Sequence, residues 1–191
     1  MRRAGSPLWR LWRCLSPALL ETLLLLSKRG MCTAKLSRAL GVHYNTARWR
    51  LGQLARCGLA RAARLARCRV YSPTPEGAAV ARAVAAWLEA RGGEARGALR
   101  ELWRCLSPAS ADVLLRLAAG PAAMSELARA LGMRRALAAR CLGRLARCGL
   151  ARVVAREGRR RIYALTREGL ELAAAAVMAL GILRRQEAWA P

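Results

Sequence analysis

Apolar residues along the chain recur at helical spacing, and the same succession of apolar segments occurs twice. Leu51 and Leu54 lie three apart on one helix face in the first succession, and Leu142 and Leu145 do so in the second. Glycines interrupt the pattern where a helix has to end. Each succession predicts three helices, then two short strands that form a hairpin, and then a last helix.

Capping and turn residues bound these predicted elements. A Ser-Pro pair caps and opens the first helix of each succession, and a threonine opens the last one. The first succession is expected to contain helices from Ser16 to Gly30, over Thr33–Leu40, from His43 to Cys57 and over Pro75–Arg91, with strands over Leu59–Arg64 and Cys68–Tyr71. The second is expected to contain helices from Ser107 to Gly120, over Ser125–Leu131, from Arg134 to Cys148 and over Thr166–Arg185, with strands over Leu150–Ala155 and Arg161–Leu165.

The two successions are copies of one sequence. The plainest repeated segments are Leu11–Pro17 with Leu102–Pro108 and Leu54–Arg61 with Leu145–Arg152. The second copy gains one residue just before Tyr163, and an insertion at this point suits a hairpin turn. Gly92 and Gly93 follow the last helix of the first copy. They predict a boundary between two domains, residues 1–92 and residues 93–191.

The segment Leu40–Leu59 resembles the helix-turn-helix core of MarR- and ArsR-type winged-helix regulators. In that family the second helix ends in Leu-Gly-Val, and the next helix carries leucines three apart and closes with Gly-Leu, as this segment does. Tyr163–Gly169 is similar to the family's Tyr-x-Leu-Thr-x-x-Gly box. The resemblance implies an α+β fold, mainly α with small β-hairpin wings, as two tandem winged helix-turn-helix domains. A prokaryotic, archaeal source is also expected, since the composition suggests a thermophilic prokaryote.

The charge of the chain favours a polyanionic partner. The 35 Lys and Arg residues outnumber the 11 Asp and Glu residues, which gives a net charge of +24. Nucleic acid is the commonest partner of such a chain, and an acidic membrane surface is the alternative. The most apolar stretches, Leu15–Leu26 and Leu170–Leu183, are too short to cross a bilayer. We therefore expect double-stranded DNA as the partner and a cytoplasmic, nucleoid-associated location.

The third helix of the first copy is the candidate base-reading element. The resemblance implies that it lies in the major groove with its N-terminal half toward the base edges. Its outward positions are His43, Tyr44, Asn45, Arg48, Trp49 and Gln53. An Asn side chain can pair with adenine and an Arg side chain with guanine, while aromatic side chains can contact thymine methyl groups. Two alternatives remain open, since His43 could cap the helix and Trp49 could pack inside the protein.

The third helix of the second copy carries charge but little variety. Its corresponding face holds Arg134, Arg135, Arg140 and Arg144, with Ala136 and Ala139 between them. Leu137 replaces the threonine of the family pattern. Arginine contacts with phosphate position a protein on DNA without specifying a sequence. We therefore expect the first domain to read bases and the second to add affinity.

The predicted wings are rich in arginine. The candidates are Arg61, Arg64, Arg67 and Arg69 in the first wing, and Arg152, Arg156, Arg159, Arg160 and Arg161 in the second. The resemblance implies that the wing tip reaches the minor groove or the flanking backbone, and arginine inserts well into a narrow minor groove. The alternative is that any exposed loop of this composition would be rich in arginine.

The last helix of each copy is the candidate for association between chains. Family members often form dimers through terminal helices. Leu170–Leu183 is apolar around most of its circumference, which is more than one packed face requires. This helix either packs against the first domain or contacts a second chain. The chain is therefore expected to be a homodimer through these helices or a monomeric pseudo-dimer.

The seven cysteines do not form a metal-binding pattern. None belongs to a Cys-x-x-Cys pair, and His43 is the single histidine, so we expect neither a metal nor another cofactor. Most cysteines are expected to be small buried residues, although a hyperthermophilic source would allow an intracellular disulfide. Cys57 and Cys148 lie at equivalent ends of the third helices, and Cys68 lies across the wing from Cys57. Oxidation there could shift the wing.

The sequence does not favour an enzyme. It contains no histidine-based triad, because one histidine stands alone, and no Gly-rich phosphate loop. Two alternatives to a sequence-specific regulator remain open. One is a non-specific architectural DNA-binding protein, and the other is a tandem winged-helix scaffold that binds proteins.

Overall fold

The computed structural model describes residues 12–65, 68–92, 94–158 and 160–188. Arg67 and Arg159 of the predicted wings lie outside the described residues, as does Gly93 of the predicted boundary. We call residues 12–92 the first half and residues 94–188 the second half.

The first half begins with helical residues 12–14 and then follows the predicted order of elements. Its elements are α1 (Pro17–Lys28), β1 (Met31–Cys32), α2 (Thr33–Leu40), α3 (Tyr44–Arg56), β2 (Ala60–Leu65), β3 (Cys68–Pro73) and α4 (Pro75–Arg91). The predicted helices Thr33–Leu40 and Pro75–Arg91 are confirmed with identical bounds. The strands form one antiparallel sheet in the order β1-β3-β2.

The second half repeats that order. Its elements are α5 (Ala95–Cys105), α6 (Pro108–Ala118), β4 (Ala122–Ala123), α7 (Met124–Ala130), α8 (Arg135–Arg147), β5 (Ala151–Glu157), β6 (Arg160–Leu165) and α9 (Arg167–Ala188). The sheet order β4-β6-β5 matches that of the first half. Helices therefore dominate both halves, each half carries one small antiparallel sheet, and the fold is an α+β winged helix.

Three elements of the fold are absent from the sequence-based prediction. The two-residue strands β1 and β4 pair with β3 and β6, respectively. Helix α5 occupies a segment for which no element is predicted, although Leu99, Leu102 and Cys105 recur on its buried face at helical spacing. That spacing was the signal that sequence reasoning missed.

The insertion in the second copy lies in a strand and not in the hairpin turn, so that prediction was wrong. Strand β2 ends at Leu65, which pairs with Cys68, and β5 ends at Glu157, which pairs with Arg160. Both hairpins therefore have the same loop length. The register shifts between Val153 and Ala155, which leaves the extra residue in a bulge of β5.

The predicted caps of the last helices are confirmed, and those of the first helices are not. The Thr74 hydroxyl oxygen accepts a hydrogen bond from the Gly77 amide at 3.1 Å and donates one to the Gly58 carbonyl at 2.7 Å. Thr166 makes the corresponding bonds in the second half. Ser16 and Ser107 do precede α1 and α6, but neither side chain makes a capping hydrogen bond. The Ser107 hydroxyl lies 3.0 Å from that of Ser110 instead.

Equivalent elements of the two halves contact each other and share one core. Helix α4 packs along α9, and the rings of Trp12 and Trp103 stack with centroids 4.4 Å apart. Trp87 of α4 is buried, and its indole N–H donates to the Cys148 carbonyl at 2.8 Å. Contact between like elements is the signature of a two-fold relation, so the chain resembles a dimer closed within one molecule.

Candidate nucleic-acid interface

Helix α3 is positioned by a turn and a histidine cap. Gly41 adopts a left-handed conformation with φ of 64°, which ends α2 and turns the chain sharply. The His43 imidazole Nδ1 then accepts a hydrogen bond from the Asn45 amide at 3.3 Å. The alternative interpretation of His43 as a helix cap is therefore confirmed, and its exposed ring is still able to contact a ligand.

The buried and exposed faces of α3 are as predicted. Ala47, Leu51 and Leu54 are fully buried. Tyr44 is 49% exposed and Trp49 is 53% exposed, so Trp49 is not a core residue. The other outward positions are Asn45 and Arg48, which are exposed, and Gln53, which is half-buried. Thr46 is also exposed and was missed. Helical spacing could have indicated it, because Thr46 lies outside the stripe formed by Ala47, Leu51 and Leu54.

Helix α8 presents arginines with small residues between them. Ala138, Cys141, Leu142 and Leu145 face the core. Its candidate residues Arg134, Arg135 and Arg140 are exposed, Arg144 is half-buried, and Ala136 and Ala139 are exposed between them. Neither α3 nor α8 contains an acidic residue. The positive N-terminal end of each helix is therefore free of local negative charge that would repel an anion.

The wings place arginines directly opposite one another. In the first wing Arg64 pairs with Arg69 across the hairpin, and in the second Arg156 pairs with Arg161. These four side chains are exposed, as are Arg61 and Arg152 near the base of each wing. Like charges that face each other across two strands destabilise a hairpin. An anion bound between them would remove that repulsion.

Arg160 differs from the other wing arginines because carboxylates hold it. Its guanidinium pairs with Glu126 of α7 and lies 4.0 Å from the Glu157 carboxylate. Glu126 also accepts a hydrogen bond from the Ala123 amide at 2.8 Å. That backbone hydrogen bond, with the Arg160 guanidinium, lowers the pKa of Glu126. Arg160 therefore joins the wing to the start of α7.

Five of the seven cysteines are buried, as predicted, and four of these five form two disulfides. Cys14 is bonded to Cys57, and Cys105 is bonded to Cys148, with Cα atoms 6.0 and 6.5 Å apart. Cys68 is an exposed free thiol, so it does not pair across the wing with Cys57. Sequence reasoning placed Cys57 and Cys148 at the helix ends but did not find their partners.

The part of the chain that the structure describes gives no indication of a metal centre or of a membrane-spanning helix. Within it, no three His, Cys, Asp or Glu residues are grouped as a metal ion would require. None of the helices in the described residues has the length and apolar character needed to span a membrane.

Residues 106–162 match a family model that is described as MarR family. The matched segment runs from the last residues before α6 to the middle of β6 and includes α8 and most of the second wing. It is thus similar to winged-helix regulators of that family. No curated protein matches the chain.

Proposed function

We propose that this chain is a double-stranded-DNA-binding transcriptional regulator, built from two tandem winged helix-turn-helix domains over residues 1–92 and 93–191. The family match over residues 106–162 supports a DNA-binding regulator. The repetition of the element order in the first half supports the second DNA-binding unit. A cytoplasmic, nucleoid-associated location is part of the proposal.

The opposed arginines of the wings carry this proposal. Arg64 faces Arg69, and Arg156 faces Arg161, on hairpins that have no cross-strand acid at these positions. The arrangement is costly for the free protein and favourable against a phosphate backbone. The same arrangement occurs at equivalent positions of both wings, which suits a ligand with regularly spaced negative charges.

The two halves are proposed to contribute differently. Asn45, Thr46 and Arg48 of α3 supply donors and acceptors that base edges can match, and the exposed rings of Tyr44 and Trp49 supply apolar contact. Helix α8 offers only arginine, alanine and Leu137 toward solvent in its first two turns. The first domain therefore reads sequence, while the second binds the backbone and adds affinity.

Paired substitutions, measured on a selected operator and on random duplex, test this division. We expect Asn45→Ala to reduce affinity for the preferred duplex by about 1–3 kcal/mol with little effect on random duplex. We expect Arg135→Ala combined with Arg140→Ala to lower the affinity for both duplexes equally. The slope of log affinity against log salt should become shallower by about one unit for each arginine that no longer binds a phosphate. Arg82→Ala, on the exposed face of α4, is the matched control and should change neither.

A second candidate function is that of an architectural protein without sequence preference. The uniform arginine and alanine surface of α8 favours it. Selection of binding sites from a random duplex pool separates the two candidates. A preferred site bound about a thousandfold more tightly than random duplex supports the regulator, and equal binding of all duplexes supports the architectural protein. Retention of protein partners with no duplex bound would indicate a scaffold.

The chain is proposed to act as a monomeric pseudo-dimer. Helices α4 and α9 already pack on each other within one chain, as the terminal helices of two subunits would. Leu170, Val177 and Met178 of α9 remain exposed, so a homodimer through this face is the competing arrangement. Sedimentation at micromolar concentration distinguishes the mass of one chain from that of two.

A further inference from the structure

The cysteines that pair are the ones that the two copies share. Cys14 corresponds to Cys105, and Cys57 corresponds to Cys148, and these four form the two disulfides. The remaining three, Cys32, Cys68 and Cys141, have no cysteine at the corresponding position of the other copy. Each disulfide joins the segment before the Ser-Pro helix start to the C-terminal end of α3 or α8.

The C-terminal end of α8 has noncovalent restraints in addition to its disulfide. The Trp87 indole N–H donates to the carbonyl of Cys148, and Arg91 donates to the carbonyl of Arg147 at 3.1 Å. Arg91 also pairs with Glu101 of α5. These contacts come from α4, so they would persist if the Cys105–Cys148 bond were broken.

The residues that would supply these contacts to the C-terminal end of α3 differ in the sequence. Ala179 of α9 occupies the position that corresponds to Trp87, and Leu183 the position that corresponds to Arg91. Neither side chain has a hydrogen-bond donor. The Cys14–Cys57 bond is the covalent tie between the end of α3 and the segment that carries Trp12.

The two disulfides also differ in access. Cys14 and Cys57 line a groove of about 510 Å³, together with Trp49, Gln53 and Arg56 of α3. A small dithiol can enter a groove of this size. In the second disulfide Cys105 is 7% exposed and Cys148 is 1% exposed, against 8% for both Cys14 and Cys57. A thiolate has to reach a sulfur atom along the axis of the S–S bond, so the first disulfide is the more reducible one.

We propose that the Cys14–Cys57 disulfide is a redox-modification site that controls base reading by α3, while the Cys105–Cys148 disulfide is a permanent tie. The proposal rests on the proposed DNA-binding function. Its co-reactant is a dithiol reductant. Bond cleavage removes the covalent tie at the end of α3, which carries Gln53 and lies one to two turns beyond Trp49. The reduced protein then keeps backbone contacts through the wings and α8 but loses part of its sequence preference.

The exchange reaction balances with the dithiol alone. One thiolate of the reductant attacks a sulfur of the Cys14–Cys57 bond, which breaks as a mixed disulfide forms. The released cysteine thiolate takes a proton. The second thiol of the reductant then attacks the mixed disulfide and releases the other cysteine as a thiol. The protein gains two electrons and two protons, and the reductant becomes a disulfide.

The order of reduction is tested on the full native chain without DNA. The protein is exposed to increasing dithiothreitol, free thiols are trapped with an alkylating reagent, and each cysteine peptide is quantified by mass spectrometry. We expect Cys14 and Cys57 to be alkylated at lower dithiothreitol than Cys105 and Cys148. Exposed Cys68 should be alkylated throughout and is the internal control. Simultaneous reduction of both bonds, or earlier reduction of Cys105–Cys148, would overturn the proposal.

The effect on DNA reading is tested with the selected duplex and random duplex at one salt concentration. Reduction of Cys14–Cys57 should lower the ratio of the two affinities about tenfold, which is the discrimination of roughly one base contact. The C14S/C57S variant should show the low ratio in oxidising buffer, and the C32S/C68S variant should respond to dithiothreitol as the unaltered chain does. An unchanged ratio after confirmed reduction would overturn the inference alone. Absence of duplex binding in both redox states would overturn the proposed function, whatever the order of reduction.

Discussion

Gly77 and Gly169, the glycines of the repeated Thr-x-x-Gly motif, lie in close contact with the backbone. The Thr74 cap holds the first turn of α4 against the chain that leaves α3. A Cβ atom on Gly77 would lie 1.9 Å from the Leu59 carbonyl oxygen, and one on Gly169 would lie 2.0 Å from that of Leu150. The glycine of the Thr-x-x-Gly box is therefore required by backbone contact rather than by a turn.

We expect Gly77→Ala to destabilise the protein by about 1–3 kcal/mol or more, because the opposing atoms are backbone and cannot move aside cheaply. Gly143→Ala is the matched control. Gly143 lies inside α8 with no atom within 4 Å of the added Cβ, so alanine should stabilise the helix by up to about 1 kcal/mol. Thermal unfolding of both variants is the measurement, and equal melting temperatures would contradict the account.

Corresponding acids in the two halves have different surroundings. Glu21 of α1 lies 3.4 Å from the Arg50 guanidinium and 2.6 Å from that of Arg96. Asp112 of α6 occupies the corresponding position, but Cys141 replaces the arginine partner. Burial raises the pKa of Asp112 above its ordinary value of 3.8. The charged form of this side chain therefore opposes folding at neutral pH.

We expect Asp112→Asn to raise the melting temperature at neutral pH. Because the pKa of Asp112 is higher in the folded state, stability falls as pH rises from 3.8 through that raised value. The gain from the substitution should be complete above the raised pKa and should disappear near pH 3, at which both states are protonated. Glu21→Gln should have the opposite effect at neutral pH, since it breaks two ion pairs. A gain for Asp112→Asn that is the same at both pH values would contradict this explanation.

At the scale of elements, helices with an apolar face and marked ends were predictable. Helix α3 is bounded by His43 and Cys57, as the sequence indicated, because its buried leucines and the glycine after Cys57 are local signals. Strands β1 and β4 were not predictable. Two residues are too few to show the alternating pattern of a strand. These strands form only because Met31 pairs with Tyr71, and Ala122 pairs with Tyr163, once the chain has folded.

The candidate site was predictable only in part for a related reason. Outward positions of α3 and α8 follow from helical spacing, so those residues could be assigned from sequence. The partner of Arg160 is Glu126, thirty-four positions earlier in the chain, and no local pattern indicates that pairing. The disulfide partners of Cys57 and Cys148 lie still further away, 43 positions earlier in the chain, although their repetition in both copies was a usable signal.

The bulge in β5 shows how two copies of one sequence diverge without changing the hairpin. The extra residue stays at Val154, between the paired residues Val153 and Ala155, so the last strand pair of each hairpin still encloses two residues. The opposed arginines are therefore the next pair inward from the end of the strands in both wings.

At the scale of the whole molecule, equivalent surfaces meet at the centre. The stacked Trp12 and Trp103 rings and the packed α4 and α9 helices join the halves. Further contacts cross between the halves at Glu21 with Arg96 and at Trp87 with Cys148. These contacts fix α3 and α8 relative to each other.

The net charge of +24 is the other property of the whole molecule. Such a charge repels itself unless a polyanion neutralises it, and wing arginines that face each other show that the repulsion is local as well as global. Both the global and the local repulsion would be relieved by a partner that carries many negative charges, as the proposed DNA does.

The salt dependence of binding to duplex DNA tests this account most directly. Affinity for a duplex would be measured from about 50 to 200 mM salt. The account predicts a linear fall of log affinity with log salt, with a slope of about −0.9 for each phosphate neutralised and a total decrease of about a thousandfold or more. Absence of duplex binding at low salt, or an affinity that does not change with salt, would contradict it.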